Sequence, residues 1–563
     1  MSASDLVMRD LVDMLVQEGL FGFDEATPLS SDAGESWFCV PIGDEDDDDV
    51  VHMRLRESDA LQPYRFSQGP VLHGSRELAP DQLLRLVAGE ACPETEQIAG
   101  DVRMAVEHAD VTLSARHKLT PEPGSMLAGE RLAATRGRPF HPTARAVTGW
   151  SADELAEYGP MRRDPLGLGW VAVRGDRLRF GAGAGSDQLA DLLLDAPDRE
   201  RLAAAAADLG NEFCLLPVHP WQLEHVLPRE FSREIDRGLV RPVARSIGRF
   251  RPTASLRTLS SQSPKRHVKL PLGVSTIGAA RLLPPRYMDN GERAEQLMRA
   301  LLERHPVLRR RVSVCDEQSW CGWAGNEFDY RPGQLAAQLR SYPASVLDKP
   351  NTLVLPMAAL AAHEWRKLGP AIRKGFDPVD FFRRLAAGFT KVALSFLRYG
   401  VLPEMHGQNV VVTLRDGIPG RFVLRDHDAL RLYPQWMAAA GVPDPGYRLK
   451  ARQSLRLGCA EELVKYLQTQ GFQMNLYGIA DALGRHYGIH EAVFWEQLRF
   501  ALAGCLAELD LPRYVEVVVR RQLLDARTWP TRQMLGPLLQ EGSTSGMSQP
   551  LTTGAVPNPL LGT

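Results

Sequence analysis

Residues 251–286 read RPTASLRTLSSQSPKRHVKLPLGVSTIGAARLLPPR, two short apolar runs set among Ser255, Arg257, Thr258, Lys269, Ser275, Thr276 and Arg281. Val268, Leu270, Leu272 and Val274 share one parity and Lys269 takes the other, which predicts a strand over 268–274 with Lys269 on its less apolar face. An extended TASLR puts Ser255 and Arg257 on one face. Ser275 or Thr276 is placed to cap a short helix carrying Arg281. Hydroxyls and fixed cations presented from a sheet suit a polyphosphate. A solvated strand edge with scattered charge fits this stretch, taken alone, equally well.

Working outward, the 563 residues are enough for two to four domains or one large multi-lobed enzyme. A hydrophobic share of 44%, a charged share of 24% and a net charge of -3 describe an ordinary globular chain with no nucleic-acid footprint. Seven dispersed cysteines without a CxxC point to free thiols in a reducing cytoplasm. Met1 precedes SASDLVMRDL, which reads as no signal peptide, and no apolar run approaches the ~18 residues of a membrane span.

Apolar spacing predicts helices over 1–21, 79–119, 187–209, 292–312, 352–367, 377–399 and most of 445–526. Strands are expected within 36–56, around an acidic run at Asp44–Asp49 that reads as a solvated turn, within 166–181, and over 213–222, a buried strand ending in Pro217, His219, Pro220 and Trp221. The segment GRPFHPTARAVTGW at 137–150 interrupts helix with two prolines. His219 in PVHPWQ reads as structural, and Trp320 and Trp323 as packing. The tail from Gly542 is Ser/Thr/Gly/Pro-rich up to Val556–Leu560.

A second polar cluster lies at 404–428. EMHGQN opens the strand VVVTL, the turn RDGIPG follows, and RFVLRD closes it. If the six turn residues close symmetrically, Leu414 faces Arg421 and Asn409 faces Asp426, with Cβ atoms ~5 Å apart. An amide oxygen and a carboxylate at that spacing suit Mg2+. The same ligand types hold metal in protein kinases. The bland alternative pairs Asp426 with Arg425 or Arg431. No Walker A sequence, GxGxxG or HRD triplet is present.

These segments, in order, resemble the IucA/IucC-type siderophore synthetases, which work without a peptide assembly line. GRPFHPTAR is similar to the family's GHPxHPxxK, PVHPWQ to PxHPWQ, and SLRT to SxRT. KLPLGVSTIGAAR is similar to KLxxxxxxTxxxR, EMHGQN to ExHxQN, RDHDALR to RDxxxxR, and VPNPL to the C-terminal NPL. Two positions depart: Arg145 stands where the family has lysine, and Val147 where a basic residue follows. The resemblance implies that ATP activates a carboxylate of citrate or a related acid as an acyl-adenylate, which an amine or hydroxyl then attacks. It implies phosphate contacts from His141, Arg145, Ser255, Arg257, Thr258 and Lys269. Gln408, Asn409 and Asp426 are expected to hold Mg2+ or nucleotide, with Arg281 and His406 at the acid. A cytoplasmic homodimer is the family expectation.

The expected fold is α+β, shaped like a cupped hand. It has a mainly helical lobe over 1–140, a lobe rich in antiparallel sheet over 141–345 that holds phosphate, a mainly helical lobe over 346–541 carrying the hairpin, and a tail over 542–563. A kinase-like phosphotransferase and a nonenzymatic nucleotide-binding scaffold are the alternatives.

Overall fold

A computed structural model describes residues 2–32, 35–42, 49–58, 60–116, 119, 121–263, 265–368, 375–449, 455–541 and 553–561. The acidic run at 44–48 and residues 542–552 of the tail lie outside these.

The N-terminal third packs helices onto a six-stranded sheet. The Ala3–Glu18 helix opens with a reciprocal capping pair, Ser2 and Asp5, and stops at Gly19 in the left-handed region. With Pro80–Ala88 and Thr95–Ser114 it covers the strands Glu35–Pro41 and Val50–Glu57 through Leu11, Val40, Met53 and Val102. Helix predominates in this part, as expected.

An eight-stranded antiparallel sheet follows. Its longest strand, Val240–Pro252, pairs with Leu166–Arg174 on one side and Thr258–Ser260 on the other. Thr258–Ser260 pairs with Arg266–Lys269, which in turn pairs with Ala336–Ser341. Thr258 thus stands opposite Lys269, and Lys269 opposite Gln338.

Three local expectations are corrected here. The predicted 268–274 strand breaks around Pro271, which has no N–H to give a ladder. Arg266–Lys269 stays in the large sheet, whereas Leu272–Thr276 leaves it to pair with Ala279–Arg281. The parity of the apolar residues reflects real burial, but in two cores: Val268 and Leu270 in the sheet core, Leu272 and Val274 against Val147, Trp150 and Trp221. Neither Ser275 nor Thr276 caps a helix. Ile277 and Gly278 (φ 51° and 69°) turn the chain back into a strand, and no helix begins before Pro285. TASLR is not extended either. Thr253 donates twice, through its N–H and its hydroxyl, to the Thr258 carbonyl in a tight turn that holds Leu256 at φ 63°.

In the C-terminal part, the Pro378–Leu397 helix lies against a four-stranded sheet. The helix expected over 352–367 is mostly absent. Thr352–Pro356 is a strand buried along its whole length, followed by short helices at Met357–Leu360 and Trp365–Leu368. A short continuous apolar run carries no period to separate the two states. Pro197 and its cap Asp195 likewise split the helix expected over 187–209 into Leu189–Leu193 and Ala196–Ala205.

The chain's two ends meet. Glu18 accepts the backbone N–H groups of Met534, Leu535 and Gly536 at the start of the Leu535–Glu541 helix. Thr553–Pro557 pairs with Thr528–Arg532. The Asn558 amide donates to the carbonyls of Leu523 (3.2 Å) and Ala526 (2.7 Å), satisfying the end of the preceding helix.

Candidate active site

A cavity of about 300 Å³ opens where these parts meet. The TASLRT turn delivers Ser255, Arg257 and Thr258 to it, and the cross-strand register brings Lys269 beside Thr258. The Leu272–Arg281 hairpin delivers Thr276 and Arg281, and EMHGQN delivers Glu404, His406 and Gln408. Gly407 permits the last approach. A Cβ there would lie 2.8 Å from the Ala358 nitrogen, whose N–H donates to the Gly407 carbonyl at 2.9 Å. Met474 and Asn475 reach the cavity from a π-helical stretch, Leu467–Leu476, inside a longer helix, a form often found at functional sites.

PVHPWQ holds this scaffold rather than lining it. The Gln222 amide oxygen accepts from the Gly273 N–H at 2.8 Å, and its nitrogen donates to the Gln334 carbonyl at 3.0 Å, pinning the hairpin that bears Arg281. His219 caps the Pro220–His225 helix under Trp150 and Tyr158, the structural role expected of it.

The 409–426 hairpin corrects another expectation. Its turn has two residues, Asp416 and Gly417, both with positive φ. Leu414 therefore faces Pro419 instead of Arg421, and a bulge absorbs the difference. At the open end Val410 faces Leu424, and the Arg425 N–H donates to the Asn409 carbonyl, so Asn409 stands opposite Arg425 rather than Asp426. Asp426, at φ 58°, swings out of the ladder. Its partners are Lys269 and Arg340, neither of which the sequence suggested; the Arg340 contact is 2.6 Å. Its backbone N–H donates to Glu317 at 3.0 Å, and Glu317 also takes Arg340. Arg425 instead reaches Glu130 and Tyr342. Burial opposes ionisation of Asp426, but Arg340 and Lys269 overcome it and hold the carboxylate well below its usual range.

Glu404, Asn409 and Asp426 nonetheless share a void of about 10 Å³. The Asn409 amide nitrogen donates to Glu404 at 2.9 Å, leaving its oxygen for another partner. The donors that face this void are oxygens, the ligand type Mg2+ takes.

His141 does not act as a cation. Its ring is buried, and burial, aided by Arg138 and Arg145, pushes it down to about 3. Nδ1 accepts from the Thr143 N–H at 3.3 Å, so the proton sits on Nε2, which is buried without a partner. Arg145 lines the cavity but is also held 3.2 Å from Asp10 of the first helix. Asp10 grips Arg136 through both its oxygens at 2.6 Å.

Six cations line the cavity: Arg138, Arg145, Arg257, Lys269, Arg281 and Arg425. Arg145, Lys269 and Arg425 meet Asp10, Asp426 and Glu130. Among the described residues, Arg257 and Arg281 have only backbone carbonyls and Thr276 as hydrogen-bond acceptors, and no carboxylate reaches Arg138. Burial depresses all three, Arg138 and Arg281 to about 9. Half-buried cations with no carboxylate at ion-pair distance mark a receptor for a polyanion. Arg138, Arg340, Glu317 and Asp10 were missed from sequence. Only Arg138 carried a signal, standing in GRPFHPTAR where the similar motif has histidine.

A family model described as IucA / IucC family matches residues 125–362, and one described as Ferric iron reductase FhuF-like transporter matches 380–544. Staphyloferrin B synthase of Staphylococcus aureus (strain NCTC 8325 / PS 47) is 31% identical over 584 positions, covering 100% of this chain and 98% of that protein. The petrobactin biosynthesis protein AsbB of Bacillus anthracis str. Sterne matches with a TM-score of 0.81 at 18% identity, over 99% of this chain and 95% of that one. ATP-bound aerobactin synthetase IucA of Klebsiella pneumoniae matches with a TM-score of 0.74 at 18% identity, over 99% and 100%. At such identities the two structures speak for the fold.

Proposed function

The chain belongs to the IucA / IucC family, and from that premise we propose how its cavity does the family's work. The protein is an ATP-dependent siderophore synthetase, a ligase that joins a carboxylic acid to an amine or hydroxyl. The acid is citrate or a relative of it, in keeping with the citrate ligases related to this chain. The observation that carries the reading is the excess of cations over carboxylates around one cavity.

In our reading Ser255 and Thr258 donate hydroxyls to the triphosphate, Arg257 and Arg145 supply fixed charge, and the His141 Nε2–H completes the set. Lys269 exchanges Asp426 for phosphate. Gln408 contacts the nucleotide, and Arg281 with His406 holds the acid. Asn409, Asp426 and Glu404 would hold Mg2+, which supplies charge compensation on the phosphates. The acid's oxygen attacks the α-phosphorus and pyrophosphate leaves as its charge meets preorganised cations. The amine or hydroxyl then attacks the acyl carbon and AMP leaves.

A phosphotransferase needs a carboxylate base. Of the acids lining the cavity, Glu130 and Asp426 are ion-paired, and His406 and Arg431 overcome burial and draw Glu404 down to about 2, too low for that role. Turnover with citrate and an amine panel, resolved by chromatography, is expected to give AMP and pyrophosphate only when acid is present. Stoichiometric ADP without AMP would overturn the ligation chemistry.

We also read the chain as three lobes dividing near 140 and 345, with 534–539 packed back onto the first and residues 294–314 joining the apolar core of the last. A cytoplasmic homodimer fits the seven free cysteines and the family. No described helix is long and apolar enough to cross a membrane. Sizing by light scattering tests the dimer.

A further inference from the structure

We propose that Glu130 is a positioning residue for the nucleotide: with Arg425 it fastens the turn bearing Ser255 and Thr258 to the loop bearing Gln408, so that the two bind ATP as one unit. This rests on the function proposed above and gives a task to a buried carboxylate that the function itself does not use.

Glu130 is fully buried, yet it lines the cavity. One of its oxygens takes Arg425, and the other lies 3.4 Å from the Ala254 nitrogen, whose N–H donates to it at the head of the SLRT turn. Arg425 carries the tie onward. Its Nε donates to the Gln408 carbonyl at 2.8 Å and its backbone N–H to the Asn409 carbonyl at 3.2 Å, so one residue holds both carbonyls of the Gln-Asn pair. Arg425 Nη1 also donates to the Tyr342 hydroxyl at 2.8 Å.

The helix Leu127–Arg136 gives Glu130 a fixed base. A Cβ on Gly129 would stand 2.6 Å from Leu355 Cδ2, so the helix packs directly on the Thr352–Pro356 strand. On the other side, Arg131 donates to the carbonyls of Pro160 at 2.9 Å and Arg162 at 2.7 Å. A second bridge joins the same two parts of the site, from Lys269, opposite Thr258, to Asp426. In the proposed reading phosphate breaks that bridge when Lys269 turns to it. The Glu130–Arg425 tie is the one that persists with ATP bound.

Two oxygens serve two donors here. An amide has one acceptor oxygen and would turn a donor nitrogen on the other partner, so it holds the turn or Arg425 but not both. A buried network with every link made keeps one geometry, and a site ordered beforehand loses less freedom when its ligand arrives.

The test is the ATP dissociation constant, by calorimetry without acid, beside KM for citrate at saturating ATP. Glu130→Gln is expected to weaken ATP 10- to 50-fold and to leave KM for citrate within twofold. Tyr342→Phe takes another partner from the same Arg425 nitrogen without touching the turn, and should leave ATP affinity within twofold. Because Glu130 acts through the turn, the fold-loss from Ser255→Ala should shrink to under half in the Glu130→Gln background. Unchanged ATP affinity in Glu130→Gln, equal losses in Glu130→Gln and Tyr342→Phe, a citrate KM that rises in step, or a Ser255→Ala loss of the same size in both backgrounds overturns the assignment. If Glu130→Gln does not fold, by circular dichroism, Glu130→Asp carries the test. It keeps the charge but is one methylene short of spanning both partners, and wild-type ATP affinity in it overturns the proposal. Wild type that binds no ATP defeats the proposed function itself, a separate outcome.

Discussion

Asp426 joins two buried cations to the cavity. It neutralises Lys269 and Arg340, shares a void with Glu404 and Asn409, and takes its backbone direction from Glu317. Asp426→Asn therefore removes a charge that two buried cations need as well as a metal ligand. Turnover should fall to background. Stability should fall too, by roughly 3 kcal/mol, the scale for breaking a buried pair by removing one member. Activity and urea midpoints, measured together, check this. Full turnover at ordinary Mg2+ would remove Asp426 from the machinery, and an unchanged midpoint would remove it from the charge network.

At the scale of elements, the site depends on a hairpin braced from outside. Gln222 is the brace, and Gln222→Leu leaves the Gly273 N–H without an acceptor, at a cost of ~1–3 kcal/mol. The hairpin carries Thr276 and Arg281 but not the phosphate-facing turn. KM for the acid should rise several-fold while ATP affinity, by equilibrium binding, stays within twofold; a matched rise in both would make Gln222 merely structural. Elements also mark where sequence was legible. Period-2 parity gave burial correctly at Val268–Val274, but parity cannot see that Pro271 divides one strand between two sheets. The polar hairpin was legible as a hairpin. Its register was not, because two positive-φ residues at Asp416 and Gly417 shorten the turn and move Asp426 one place out of opposition. The motif segments supply most of the charged residues that line the cavity. They were silent on Asp10 and Arg340, which act through contacts 135 and 86 positions away in the chain, to Arg145 and Asp426.

For the whole molecule, three histidines set a pH limit. Burial pushes His141 and His219 down to about 3 and His267 well below its usual range. The unfolded chain takes up these protons as pH drops through ~6.5, the folded one only far lower, so the free energy of unfolding must fall with pH across that window. From pH 7 to 5 each histidine should remove about 2 kcal/mol. Denaturant titrations at the two pH values check the sum, and His219→Gln should remove one share of it. A pH-independent unfolding free energy over this window would mean the histidines are not held neutral. The contact between Glu18 and the Met534–Gly536 N–H groups has a consequence in time. The two sides are 516 positions apart. On a ribosome adding roughly 5–20 residues per second, the first helix waits on the order of half a minute to two minutes for the segment that docks on it. Met474, Asn475 and the 404–426 hairpin arrive late as well, so a nascent chain has no cavity to fill. Activity should appear only after synthesis passes the final lobe, and a block to the docking of residues 534–541 should delay it without touching a single residue of the site.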